Sequence, residues 1–215
     1  MTSGEEVEIL RGAGALGIAL DAESVARIGR FIDLLDLWNR RVRLTGDRDR
    51  PTLVRKHTVD SFAVVSELPL SGIVADIGSG GGFPGLVLGC VRPDLGLRLI
   101  EARRRAASFL AEAIRTIPLP GAAVIGTRAE EAGRDPAVAG RSDLVVSRAV
   151  RLEAFLPPTV SLVAPGGLVI AMQTPGVGLD HARETGSLYG LELLRRRDYR
   201  LPDGERRRLL VFSRV

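Results

Sequence analysis

The sequence predicts an α/β fold: seven strands in a mostly parallel sheet, ending in an antiparallel hairpin and preceded by a helical extension over residues 1–70. Three observations predict it. Short apolar runs alternate with helical stretches from Ile73 to Met172, the pattern of βαβ units. Two strand-like segments at the end, Leu191–Leu201 and Arg207–Ser213, are joined by Pro202-Asp203-Gly204-Glu205, whose Asp-Gly pair marks a hairpin. Ahead of Pro69 the apolar spacing is helical instead.

Taken in order, residues 1–20 are rich in Gly, Ala and Glu, with weak periodicity, and read as one short helix or as loose chain. From Glu23 to Leu44, Val25, Ile28, Phe31, Ile32, Leu35 and Trp38 recur at three- and four-residue steps, one apolar stripe, with Asp21 as N-cap. Asp49 or Thr52 opens a second short helix, whose apolar side is Val59, Phe62, Ala63 and Val64. Five strands follow: Ile73–Ile77, Leu97–Ile100, Ala123–Ile125, Leu144–Val146, and Leu168–Met172 entered by the turn Pro165-Gly166-Gly167. Helices are expected over Gly85–Val91, Arg104–Thr116 and Leu152–Val163. Residues 71–215 read as one compact domain with the extension packed on it.

Of the 215 residues, 45% are apolar and 26% charged, which suits a globular chain. No apolar run reaches the roughly 18 residues of a membrane span. The first ten residues carry three glutamates and no basic region before an apolar one, so a cytoplasmic location is expected. The lone cysteine, Cys90, sits in an apolar run and reads as core; with only His57 and His181 beside it, no metal site of ordinary spacing is expected. The formal charge is +4, and the bases are nearly all arginine, Lys56 being the one lysine. Such a balance permits an acidic partner without requiring one.

The segment Asp76-Ile77-Gly78-Ser79-Gly80-Gly81-Gly82-Phe83-Pro84-Gly85 follows the first strand. Glycines let the chain turn sharply into the next helix and let backbone approach a ligand. Gly80, Gly82 and Gly85 match G-x-G-x-x-G, so a nicotinamide or flavin dinucleotide is one candidate. S-adenosylmethionine is the other, and two features favour it. A carboxylate at Asp76 would repel a pyrophosphate but attract an ammonium and a sulfonium. The loop also holds more glycine than a pyrophosphate turn needs. Glu101 ends the second strand, where a carboxylate can accept the ribose hydroxyls of either cofactor; the alternative is a surface pair with Arg103 or Arg104. Thr127-Arg128-Ala129-Glu130 follows the third strand, where an adenine would lie, although acids after a strand also begin solvated helices. Arg148, in Ser147-Arg148-Ala149 at the fourth strand's end, faces the methyl group and the substrate, or else makes a surface salt bridge.

Together these motifs resemble the glucose-inhibited division protein B family, bacterial methyltransferases acting on guanine N7 of small-subunit (16S) ribosomal RNA. The similarity runs from about Phe31 to Phe212. It rests on Leu37-Trp38-Asn39, Leu44-Thr45, His57-Thr58-Val59-Asp60-Ser61, the loop ending Phe83-Pro84-Gly85, Phe109-Leu110, Arg128-Ala129-Glu130, Ser147-Arg148-Ala149 and Asp203-Gly204-Glu205-Arg206. The His-x-x-Asp-Ser element ahead of a loop ending Phe-Pro-Gly is the specific part. The resemblance implies a Rossmann-like class I methyltransferase fold with S-adenosylmethionine as cofactor, held by Gly78, Phe83, Ala129, Glu130 and Arg148. Likeness to class I methyltransferases in general adds Asp76, Gly80 and Glu101. The chain departs from the family at Arg43 (usually Asn), at Glu101-Ala102 (usually Asp-Ser), at Arg105-Ala106 (usually a basic pair) and at Gln173-Thr174 (usually Lys-Gly), the last on the substrate side of the pocket.

Guanine N7 has a lone pair and no proton, so the resemblance implies direct attack with no general base, and Arg148 is the one residue considered for a catalytic part. No Asn-Pro-Pro-Tyr-like motif follows the fourth strand. The expected partner is 16S rRNA or a small-subunit precursor, bound by a monomer. Arg40, Arg41, Arg43, Arg48, Arg50, Arg55 and Lys56 form one basic group, of which Arg40, Arg41, Arg43, Arg55 and Lys56 are the candidate RNA contacts. Arg195–Arg197, Arg200 and Arg206–Arg208 form a second, read equally well as RNA contacts or as ordinary surface. His57 is expected either in the active site or in fixing the N-terminal helices on the domain through Asp60.

Overall fold

The computed structural model describes residues 1–47 and 49–215; Arg48, in the first basic group, lies outside the described residues. The extension forms by local capping. Helix α1 (Ser3–Ala15) begins with a reciprocal pair: Thr2 Oγ1 accepts from Glu5 N–H and Glu5 accepts from Thr2 N–H. Helix α2 (Ala22–Asn39) is capped by Asp21, which accepts from Ser24 N–H at 2.6 Å, and it buries Val25, Ile28, Phe31, Ile32 and Leu35 as the spacing predicts. It stops short of Leu44 because Asn39 folds back over its end, accepting from Leu44 N–H and donating to Thr45 Oγ1. Asp49 caps α3 (Arg50–Thr52), accepting from Thr52 N–H at 2.9 Å. There follow a wide π-helical turn, Leu53–Thr58, and α4 (Val59–Phe62). Such wide turns concentrate at functional sites, and this one carries Lys56 and His57.

The sheet has seven strands in the order β3-β2-β1-β4-β5-β7-β6. They are β1 (Ile73–Ile77), β2 (Gly96–Ile100), β3 (Ala122–Ile125), β4 (Ser142–Arg148), β5 (Val163–Gln173), β6 (Leu191–Arg200) and β7 (Arg206–Arg214). The first five pair in parallel and the terminal hairpin antiparallel, with β7 between β5 and β6. Chain order reverses between β1 and β4, which opens a crevice at the carboxyl ends of those strands. The turn Pro165-Gly166-Gly167 lies inside β5, whose pairing with β4 is offset between Ser142 and Leu144.

One face of the sheet is covered by α2, α5 (Gly85–Val91) and α6 (Arg104–Thr116), the other by α8 (Leu152–Leu162) and α9 (Leu179–Ser187). Helix α9 and the single turn α7 (Ala129–Ala132) were not expected; α9 buries only Ala182, Thr185 and Gly186, too little apolar spacing to register. On the first face the core is continuous through extension and sheet, with Phe31, Phe62, Phe83 and Phe109 in one cluster. Arg27 of α2 is buried and donates to the Cys90 carbonyl at 2.8 Å, pinning α2 on α5. Burial pushes the Cys90 thiol up to about 12, so this cysteine is core and not a nucleophile. Among the described residues no helix is long and apolar enough to cross a membrane.

Candidate active site

The loop after β1 is shaped by what lies beneath it. Asp76 is fully buried, and its Oδ2 accepts from Gly85 N–H at 3.0 Å. A Cβ on Gly85 would stand 2.6 Å from that oxygen, so the first turn of α5 can close on the carboxylate only with glycine there. Asp76 Oδ1 has no hydrogen-bond partner among the described residues. Burial pushes its carboxyl up to about 7, against the pull of Gly85 N–H and of Ser79. Gly80 takes φ +52°, a left-handed turn that aims its N–H at Glu101, whose Oε2 accepts it at 2.8 Å. Loop, β1 and β2 are thereby locked into one cradle.

Glu101 is buried at the end of β2 and also accepts from the Arg103 backbone N–H at 2.8 Å and from Arg103 Nε at 3.2 Å. The pairing with Arg103 that was the alternative reading is therefore present, but it sits on a carboxylate inside the crevice. A cavity of about 170 Å³ opens there, lined by Gly78, Glu101, Arg128, Ala129 and Glu130 among others. Gly78, Glu101, Ala129 and Glu130, scattered along the sequence, are cofactor candidates that this cavity brings together; Asp76 and Gly80 lie in the adjoining loop, and Arg148 lines a neighbouring cavity. Phe83 goes elsewhere: its ring is buried edge-on against Phe31, with centroids 5.0 Å apart, and beside His57.

Arg148 ends β4 on the other side of Gly78. Its guanidinium lies over the Phe83 ring at 5.2 Å, donates to His57 Nδ1 at 2.8 Å, and pairs with Asp60 Oδ2 at 3.2 Å. An arginine can only donate, so Nδ1 is the acceptor and the imidazole carries its proton on Nε2. Burial, and then the Arg148 charge, lower the His57 pKa to about 4, which keeps it neutral. Tyr199 of the hairpin donates to Asp60 Oδ1 at 2.6 Å; burial and the Asp60 charge push its hydroxyl pKa up. A second cavity, about 320 Å³, is lined by Lys56, His57, Asp60, Arg148, Gln173 and Arg207 among others. Ala149, on its wall, holds φ +62°, a strained conformation for a residue with a Cβ. Gly78 and Val150 meet where the two cavities adjoin, a Cβ on Gly78 coming within 3.8 Å of Val150.

Residues 24–186 match the profile of a family described as rRNA small subunit methyltransferase G. The chain belongs to that family. A relative so named from Symbiobacterium thermophilum is 36% identical over 94% of this chain and 87% of its own length. One from Geobacter is 32% identical over 95% of each chain, and one from Chloroflexus aggregans 30% identical over 100% of this chain and 92% of its own. Among solved structures, M. jannaschii TYW2 in complex with AdoMet superposes with a TM-score of 0.56 at 16% identity, covering 74% of this chain and 76% of that one. At that identity it bears on the fold alone, which is that of the class I methyltransferases.

Around this family's cleft the two basic groups fare differently. Arg41 and Arg43 are exposed and make no ion pair among the described residues. Arg40 pairs with Asp36 one turn back, Arg55 with Glu8, and Lys56 with Glu205 at 2.8 Å, which raises the lysine's pKa. Arg50, grouped with them by sequence, ties α1 to α2 through Glu5 and Asp33. In the second group Arg208 is buried on Asp198 and on the carbonyls of Pro175 and Val177. Arg195 pairs with Glu67, and Arg197 donates to Ser66 and the Ala63 carbonyl.

The sequence reading missed the joint between β4, the extension and the hairpin. His57 and Asp60 were noted, yet nothing in the spacing tied them to Arg148, 91 and 88 residues away, or Asp60 to Tyr199, 139 away.

Proposed function

We propose that this protein transfers a methyl group from S-adenosylmethionine to N7 of a guanine in 16S ribosomal RNA, acting in the cytoplasm as a monomer on the RNA or on a small-subunit precursor. Family membership supplies the enzyme class, the cofactor and small-subunit RNA as the acceptor. The observation that carries the finer reading is the pair of cavities adjoining at Gly78 and Val150, one on each side of the sheet's reversal point.

The residues present fit the cofactor. Gly78, Gly80, Glu101, Ala129 and Glu130 border the cleft for its nucleoside, with Phe83 holding the loop from beneath and Arg148 closing the far side. The unpartnered Asp76 Oδ1 leaves negative charge under the loop that a cationic ligand would stabilise. S-adenosylmethionine supplies an electrophilic methyl group on a sulfonium. The Arg103 side chain lies across Glu101 through Nε, the contact that ribose hydroxyls would replace. On the substrate side, His57 and Asp60 are committed to Arg148 and Tyr199. That supports a reaction in which no side chain removes a proton, as N7 requires. Catalysis is then positioning, where well-aligned intramolecular reactions reach effective molarities of roughly 10⁵–10⁸ M. Residues 1–70 form the wall of the substrate cavity through Lys56, His57 and Asp60, and present Arg41 and Arg43 beside it for RNA phosphates.

Two measurements test the reading. Mapping of N7-methylguanine in small-subunit RNA from cells with and without this gene should reveal one site that depends on it; an unchanged map sinks the RNA assignment. Calorimetry should detect S-adenosylhomocysteine binding and none with NADH.

A further inference from the structure

The end of β5 carries a polar group that the reaction above does not use. Gln173 lines the 320 Å³ cavity, half-buried, one residue past the Arg148–Met172 pair of β4 and β5. Its Nε2 donates to the Val150 carbonyl at 2.7 Å. A carbonyl oxygen only accepts, so the amide nitrogen must be the atom facing it, and the orientation of the carboxamide is fixed. Its Oε1 is left as an acceptor, and no described residue donates to it. The carboxylate that lines the same cavity, Asp60, is taken up by Tyr199 and Arg148.

Resting on the proposed function, we propose that Gln173 is a specificity-determining residue, whose Oε1 accepts from the N1–H and N2-amino donors on the Watson–Crick edge of the target guanine. At positions 1 and 2 guanine presents two donors, whereas adenine presents an acceptor at N1 and nothing at C2, its one donor, N6, lying at the other end of the edge, so an acceptor fixed opposite positions 1 and 2 separates them. The strand order gives the contact a second consequence. β5 is two strands from β1, and strands lie roughly 4.8 Å apart, so Gln173 stands about 10 Å across the sheet from the glycine loop. N7 is on the opposite edge of the purine from N1 and N2. A guanine anchored at Gln173 by its Watson–Crick edge therefore turns N7 back toward β4, β1 and Gly78, the direction of the cofactor cleft. The Val150 clasp also holds the wall that contains the strained Ala149, so the reader and the cavity wall are set together.

The test uses 16S rRNA assembled by ligation, with guanosine or inosine at the methylated position, and folded into small subunits. Inosine keeps N7, O6 and N1–H but lacks the N2 amino group. Wild-type protein should methylate the guanosine RNA about tenfold more efficiently in kcat/KM, the scale of one lost hydrogen bond in a partly buried site. Gln173→Met, which keeps the length of the side chain, and Gln173→Ala should lower the guanosine rate toward the inosine rate and bring that ratio near one. Affinity for S-adenosylhomocysteine should stay unchanged. A purely structural Gln173 would slow both RNAs equally and leave the ratio at its wild-type value; that result, or no change at all, overturns the assignment. If wild-type protein methylates neither RNA, the proposed function itself fails, and it does so before any variant is compared.

Discussion

Two arginine-rich segments of this chain look alike in sequence and end differently in space. Between Arg40 and Lys56, Arg41 and Arg43 point to solvent without ion pairs among the described residues, beside a cavity lined by Lys56, His57 and Arg148. Between Arg195 and Arg208, much of the charge already has a fixed partner: Arg208 on Asp198 and two carbonyls, Arg197 on Ser66 and Ala63, Arg195 on Glu67. The second segment is a hairpin whose successive side chains point to opposite faces of the sheet: Arg195 and Arg197 meet the chain around Ala63–Glu67, Arg208 meets Asp198 across the strands, and Arg196 and Arg206 stay exposed with no ion pair among the described residues. In the first, Arg41 and Arg43 lie in the irregular chain that follows α2, and no described residue pairs with them, whereas Arg40, Arg50, Arg55 and Lys56 on the flanking helical turns are paired. Basic composition alone therefore does not locate a nucleic-acid face; the distinction is whether the fold has already answered each charge.

The largest test of that distinction concerns a carboxylate. Asp198 is answered by Arg208, whereas Asp76 Oδ1 is answered by nothing among the described residues. The Asp76 pKa is raised by burial from 3.8 to about 7, so between those values the folded state binds the proton that the unfolded state releases. Stability tied to this group is unaffected below about pH 4, falls as pH rises toward 7 and stays low above it, a penalty on the order of 4 kcal/mol at roughly 1.4 kcal/mol per unit. Asp76→Asn should remove that dependence, so the difference in unfolding free energy between variant and wild type grows in the variant's favour from pH 4 to pH 8. The same variant should bind S-adenosylmethionine more weakly. Parallel stability curves would show that the buried charge is compensated after all. Next in size, Arg208→Ala should lower stability by about 2 kcal/mol, read as a shift in the denaturation midpoint, because it removes a buried side chain and leaves two partly buried carbonyls without a donor. RNA affinity should hold.

The same contrast explains what the sequence disclosed. The βαβ order, the hairpin, and Asp21 and Asp49 as caps are local or depend on one strand–turn–helix unit, so spacing reveals them. For Asp76 spacing shows a carboxylate at the strand's end but not its packing: strand alternation sends it to the α5 face, where Oδ2 accepts from Gly85 N–H and Oδ1 has no partner among the described residues. The joint of His57, Asp60, Arg148 and Tyr199 was not legible, because each member is an ordinary residue until the fold brings it to the others. Nor could composition separate Arg50, which ties helices together, from Arg43, which ties nothing.

Of intermediate size is the RNA face itself. Arg41→Glu with Arg43→Glu should weaken binding of 16S rRNA by about 2 kcal/mol, roughly 30-fold at low salt, while S-adenosylhomocysteine affinity and thermal stability stay as in wild type. Plots of log affinity against log salt should flatten by about 1.4, the value for two lost contacts at roughly 0.7 each on single-stranded RNA. An unchanged slope would move the phosphate contacts elsewhere on the surface.

The smallest expected effect is the most discriminating. Arg195 is half-exposed and its pair with Glu67 spans the hairpin and the short turn that ends the extension. Solvent screening limits such a pair to about 0.2–1 kcal/mol, so Arg195→Ala should shift the denaturation midpoint by no more than that. Its guanidinium is neutralised by Glu67 before any RNA arrives, and recruiting it to a phosphate would leave a carboxylate beside the phosphate. RNA affinity should therefore change less than twofold, with no change in salt slope. A loss matching that of Arg41 and Arg43 would mean that the hairpin arginines release their partners when RNA binds. The contrast between the two segments would then belong to the free protein only, and the hairpin would have to be counted as part of the RNA-binding face.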